Sequence, residues 1–165
     1  MASYTIGLDY GTNSVRAIIV DTSDGTICGS QVYAYAHGDM GVITDAKDPN
    51  VARQHPADYL EGLELTVRAA LSKASVEATK VVGIGVDATA SSPLPVDAQG
   101  QALALTDAFK EDPDAMAWLW KDHSSLAEAN EITAKAAALR PEYLAKCGGT
   151  YSSEWYWSKI LHCAR

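Results

Sequence analysis

Asp9, Gly11, Thr12, Asn13, Ser14 and Arg16 are packed into one short stretch, DYGTNSVRA, running from Asp9 to Ala17. A carboxylate, a glycine turn flanked by hydroxyls and an amide, and a guanidinium are the groups needed to hold a phosphate. Gly11 permits a backbone geometry closed to other residues, so the chain can fold back tightly there. Successive N–H groups of Gly11, Thr12, Asn13 and Ser14 can then point at one anion. Asp9, at a strand end, is placed to hold Mg²⁺ through water, an ion that takes one or two carboxylates plus phosphate oxygens. Arg16 adds a planar cation for phosphate oxygens. The same stretch also reads as an ordinary hairpin with Gly and Asn at its corner. A second group, Asp87-Ala88-Thr89-Ala90-Ser91-Ser92, follows an apolar run. Residues just past the carboxyl end of a sheet strand face the crevice where α/β folds bind ligands. The plainer alternative is that Asp87 caps a turn and Ala90 packs.

The elements that must position these groups are legible in outline. Strands are expected at Tyr4–Asp9, Val15–Asp21 and Thr26–Ala36, with turns at Gly11–Ser14 and Ser23–Gly25 short enough to join antiparallel neighbours. Asp39–Gln54 is polar and reads as an irregular loop. A helix begins near Pro56, with Leu60, Leu63, Val67 and Leu71 as its apolar stripe and Glu64/Arg68 as an i,i+4 pair on the other face. Val81–Val86 reads as a strand buried on both faces, and a hairpin turns at Asp97–Gly100. Met116–Lys121 fits strand and helix equally. Ser125 with Glu128 suggests a capping box for a helix to about Leu139, and Pro141 starts a short one. The last helix, from about Ser153, places Trp157, Ile160, Leu161 and Ala164 on one face. Three antiparallel strands, a crossover helix and a fourth strand are the order of a ribonuclease-H-like α/β domain with a mixed sheet and flanking helices.

Composition narrows the functional classes. The 165 residues suffice for one domain with a real core, and 47% hydrophobic with 21% charged residues is a globular balance. A net charge of −8 with scattered Lys and Arg argues against a surface that wraps nucleic acid. Cys28, Cys147 and Cys163 are odd in number and far apart, which suggests buried free thiols in a reducing cytosol rather than a metal cluster. The N-terminus runs straight into a strand with no basic or apolar leader, so a cytoplasmic location is expected, with no membrane partner. No cap residue or glycine follows the last helix, and the expectation is of a chain cut at Arg165.

GLDYGTNSVRAIIVD resembles the phosphate-1 motif of the FGGY carbohydrate kinases, in the actin, Hsp70 and sugar kinase superfamily. VDATASSPLPVD, WLWKDH and GGTYSSEWYWSKILH are similar to the ketopentose-phosphorylating branch of that family, and the likeness covers nearly the whole chain. The resemblance implies that residues 1–165 are the N-terminal, sugar-side domain, and that a C-terminal domain supplies the adenosine site and the aspartate base. It implies ATP and Mg²⁺ as cofactors and L-ribulose or a related ketopentose as the sugar, with a homodimer as the assembly. Asp9 would organise the Mg·ATP phosphates, with Gly11, Thr12, Asn13 and Ser14 lining the phosphate loop and Arg16 facing the transferred group. Asn13 stands where relatives such as glycerol kinase have threonine, so its side-chain role is not carried over. Asp87, Thr89 and Ala90 would border the sugar, Ala90 lying against the ketopentose where glycerol kinase has charged residues. Trp120 and Asp122 match a W-x-D-x-R segment whose Trp and Asp border the sugar; an aromatic face suits its apolar side. Here the segment reads WKDHS with no arginine, so that cation is not carried over. For Glu154, Trp155 and Trp157 core packing is expected, and for His55 a structural place at a helix entry.

Two other readings stand beside the kinase. A ribonuclease-H-like nuclease would gather Asp9, Glu61 or Glu64, and Asp87 onto two metals about 4 Å apart. A non-catalytic module would bind the sugar alone. The kinase reading carries its own expectation, that the 165 residues by themselves do not phosphorylate sugar.

Overall fold

In the computed structural model, which describes residues 2–165, packing divides the chain into two units: the segment up to Val42 with His55–Thr89, and Ile43–Gln54 with Ala90–Arg165. The first unit is a four-stranded sheet and one long helix. Strands β1 (Tyr4–Tyr10), β2 (Ser14–Asp21) and β3 (Ile27–Ala34) form an antiparallel meander. Helix α1 (Pro56–Ala74) then carries the chain across to a strand we label β5 (Val81–Ala88), parallel to β1, giving the order β3-β2-β1-β5. A parallel neighbour requires such a crossover.

Period-two alternation decides which side of the sheet α1 covers. Ile6, Leu8, Ala17 and Ile19 are buried and join Ala70, with Leu63, Val67 and Leu71 packed against them. The helix lies very close to the sheet. A Cβ on Gly62 would come within 2.4 Å of Val15 Cγ1, and one on Gly29 within 2.5 Å of the Ala70 carbonyl. That closeness shifts the helix's buried edge to Asp58, Gly62, Thr66 and Ala70, and Leu60, expected in the apolar stripe, is 60% exposed. His55 is the N-cap, its Nδ1 accepting from the Ala57 N–H at 3.2 Å, which is the structural place expected of it. The i,i+4 pair also forms, Arg68 Nε lying 3.0 Å from Glu64 Oε1.

β5 departs from expectation. It is the edge strand, α1 packs chiefly on β2 and β3, and Val82, Ile84 and Val86 are exposed rather than buried on both faces.

In the second unit β4 (Arg53–Gln54) pairs antiparallel with β6 (Ala117–Trp118), so Met116–Lys121 is a short strand running into a turn, and the stretch before Pro56 is not wholly irregular. Helices α2 (Leu126–Leu139), α3 (Pro141–Lys146) and α4 (Tyr156–Cys163) follow, with α2 against both others. Ser125 occupies the N-cap of α2, but the capping box does not form. Its hydroxyl donates to the Ser153 carbonyl at 3.1 Å, and Glu128 faces His162 Nδ1 at 3.0 Å. α4 starts at Tyr156 rather than Ser153 and turns Ser158 and Lys159 inward. Trp157, expected in the core, is exposed, while Trp155 meets Tyr151 edge-on. The three cysteines are free, but Cys28 and Cys163 are exposed rather than buried. Among the described residues no helix is long and apolar enough to cross a membrane.

Candidate functional site

Asp9, Arg16 and Asp87 stand side by side on three neighbouring strands. Asp9 is the register partner of Arg16 across the antiparallel β1–β2 pair and of Asp87 across the parallel β1–β5 pair. Leu8 and Ala17, one residue away, point into the core, so all three charged side chains rise from the opposite face. They line a groove of about 550 Å³ together with Gly7 and Gly85. A guanidinium and carboxylates in one exposed groove have the chemistry that suits phosphate oxygens and a hydrated divalent cation.

The turn from Asp9 to Arg16 is closed by its own backbone. Gly11 donates its N–H to the Ser14 carbonyl at 2.9 Å, so that N–H is spent inside the turn. Nor does Gly11 adopt the left-handed geometry expected of it. What its missing side chain gives is room, since a Cβ would lie 3.3 Å from the Ser14 carbonyl. The Asn13 amide turns away to donate to the Met40 carbonyl at 2.6 Å, and the Asn13 carbonyl accepts from the Tyr35 N–H. Asn13 therefore ties the turn to the 39–42 loop. Past β5, the Thr89 N–H donates to the Tyr10 carbonyl at 3.2 Å, prolonging the strand pair beyond Asp87.

Of the proposed nuclease set, Glu61 accepts from the Tyr33 hydroxyl at 2.9 Å and Glu64 is held by Arg68. Among the described residues no three carboxylate, His or Cys side chains gather as a metal site. The nuclease reading lacks its third ligand.

In the second unit Trp120 is 41% exposed and Asp122 is fully buried. Asp122 pairs with Arg53 and accepts from the Ala52 N–H at 2.7 Å and the Ser124 hydroxyl at 2.6 Å. Arg53, itself buried, also reaches Asp114 at 3.1 Å and lies 3.5 Å over the Trp118 ring. Asp122 is thus the anchor of a buried ion pair beside Trp120. His123 contacts the Ser153 hydroxyl at 2.8 Å and lies 3.7 Å from Glu154. Ala90 is exposed, and Ser91 after it has φ 55, a left-handed conformation uncommon for serine.

Sequence reasoning missed Lys159. Its side chain is fully buried, and its ammonium donates to the carbonyls of Ser91 at 2.8 Å, Leu119 at 2.6 Å and Trp120 at 3.3 Å. Burial first, and the positive charge of Arg53 second, push its pKa down to about 8. The only signal in the sequence is a lysine on the inward face of a terminal helix; its partners lie 39 to 68 residues away.

A family model for the FGGY family of carbohydrate kinases, N-terminal domain, matches residues 4–140. The chain belongs to the FGGY family of carbohydrate kinases. Among the relatives of this FGGY domain, a ribulokinase of Shouchella clausii is 42% identical over 164 residues, covering 97% of this chain and 29% of that protein. A ribulokinase of Halalkalibacterium halodurans is 41% identical, covering 95% and 29%. A xyloylose kinase structure from Brucella ovis superposes with a TM-score of 0.75 at 22% identity, covering 97% of this chain and 29% of that one. The FGGY chain therefore spans about 29% of the length of the ribulokinases it matches. Its fold is the ribonuclease-H-like fold of the sugar kinases, and neither the nuclease nor a sugar-binding module is favoured.

Proposed function

We propose that this chain is the N-terminal, sugar-side domain of an ATP-dependent kinase that transfers phosphate to a hydroxyl of L-ribulose. The observation that carries the reading is the alignment of Asp9, Arg16 and Asp87 in one groove, in a chain about 40% identical to ribulokinases. Phosphoryl transfer asks mainly for positioning and charge neutralisation. In this reading Asp9 holds Mg²⁺ through water, Arg16 takes oxygens of the transferred phosphoryl group, and Thr12 and Ser14 line the phosphate turn. Mg²⁺, when bound, neutralises charge on the ATP phosphates. Asp87, Thr89, Ala90 and Trp120 border the ketopentose. Asp122 contributes by fixing the turn that carries Trp120, which its burial supports better than a direct sugar contact. A C-terminal domain of the same enzyme supplies the adenosine site and the carboxylate that takes the hydroxyl proton, and the enzyme works in the cytoplasm as a homodimer.

The test is ADP release coupled to L-ribulose, run on the full-length enzyme and on the 165 residues alone. Turnover only by the full-length enzyme supports both halves of the reading. Turnover by the isolated chain contradicts the assignment of the base to a second domain, and no sugar-dependent turnover by either contradicts the kinase.

A further inference from the structure

A buried lysine whose three donors all go to main-chain carbonyls is an expensive arrangement. Desolvating an ammonium is costly unless its hydrogen bonds are met, and here they are met by two loops rather than by a carboxylate. The Ser91 carbonyl belongs to the segment that begins at Ala90, and the Leu119 and Trp120 carbonyls belong to the turn after β6. One ammonium therefore clamps both segments to α4. The Ser91 backbone is in the left-handed region, a conformation that persists only where its surroundings hold it. Such strain is enriched at ligand sites.

We infer that Lys159 is a positioning residue for sugar binding: by holding the carbonyls of Ser91, Leu119 and Trp120 it fixes Ala90 relative to the Trp120 ring. The inference rests on the reading of these two segments as sugar-bordering. Lys159 never touches the reacting atoms. Lys159 lines an apolar cavity of about 240 Å³ with Pro93, Leu94, Trp118 and Ile160, and methionine, unbranched and apolar, replaces it while making none of the three bonds. A clamp of this kind acts on the sugar and not on ATP.

The experiment uses the full-length enzyme in three forms: wild type, Lys159→Met, and Ile160→Ala. The last weakens α4 packing while leaving all three Lys159 hydrogen bonds in place. Lys159→Met is expected to raise KM for L-ribulose about tenfold, because small misplacements of a binding segment are costly. KM for ATP stays within about twofold, and amide exchange accelerates at residues 89–92 and 119–121. Ile160→Ala lowers Tm with KM for L-ribulose unchanged. If Lys159→Met does not fold, Lys159→Arg is read instead: a longer side chain with a flat, bulkier guanidinium cannot occupy the point where the compact ammonium holds the carbonyls of Ser91, Leu119 and Trp120, and the same rise in KM is expected. Equal KM for L-ribulose in wild type and in the folded Lys159 variant overturns the inference alone. A folded wild type that turns over no L-ribulose overturns the proposed function, and the Lys159 inference with it.

Discussion

Asp9 and Asp87 face one another across the β1–β5 pair, register partners on parallel strands, with Arg16 the register partner of Asp9 on its other side. Two carboxylates side by side repel unless a cation stands between or beside them. Arg16 is one such cation, and a hydrated Mg²⁺ brought by ATP is the other in the proposed mechanism.

Asp9→Asn removes the carboxylate proposed to hold the metal while keeping its shape. In the full-length enzyme kcat is expected to fall by roughly 10²-fold or more, the scale for deleting one electrostatic contact in a transition state. Because Asp9 is exposed, Tm changes little. Steady-state kinetics with a melting curve checks both, and a variant of normal kcat removes Asp9 from the mechanism.

Asn13→Ala separates the turn's geometry from its chemistry. The lost bond is the one to the Met40 carbonyl, and its net worth is about 0.5–1.5 kcal/mol. Amide exchange in residues 39–42 should accelerate, and kcat should fall far less than for Asp9→Asn. A loss as large as that of Asp9→Asn makes the Asn13 side chain a direct phosphate ligand.

Asp122→Ala leaves Arg53 buried beside Trp118 with Asp114 as its remaining carboxylate. Removing one partner of a buried pair costs about 3–5 kcal/mol, which urea denaturation of the isolated chain measures. A stable variant with weakened sugar binding shows instead that Asp122 touches the sugar.

Gly62→Ala and Gly85→Ala test how closely α1 lies on the sheet. The first drives a methyl to 2.4 Å from Val15 Cγ1, and the second meets nothing within 4 Å. Overpacking should cost the first about 1–3 kcal/mol, and the second should stay within about 0.5 kcal/mol of wild type. Chemical denaturation of the two variants reads the difference.

Acid should loosen the C-terminal Arg165 from α2. Hydrogen bonds from Arg165 first and Lys135 second hold the Glu131 carboxyl down at about 2. A depressed carboxyl contributes stability that is present above its unfolded pKa, ordinarily 4.5, and is lost as pH falls through the folded value. The contribution therefore fades between about pH 4.5 and 2. Glu131→Gln should flatten the stability profile in that window, most visibly at low salt since the group is exposed to solvent.

Much of the sheet was legible because its signals are local. Period two along β1 and β2, the turn after Asp9 and the proline at the start of α1 each act within a few residues. What failed depended on neighbours distant in sequence. Leu60 reads as core until Gly62 sets the side on which α1 meets Val15. Val82, Ile84 and Val86 read as buried, yet the strand's place at the sheet edge decides their exposure. Ser125 and Glu128 fit a capping box, but Ser153 and His162 compete for both side chains. Asp9, Arg16 and Asp87 of the first unit could be chosen by residue type, whereas Lys159 of the second could not, because its partners are carbonyls that any residue could provide.

The most direct test is ³¹P NMR of the full-length enzyme turning over ATP with L-ribulose. The account predicts a sugar-phosphate resonance that appears with wild type and is absent, on the same timescale, with Asp9→Asn. No sugar phosphate from a folded wild-type enzyme, or equal product from Asp9→Asn, would contradict it.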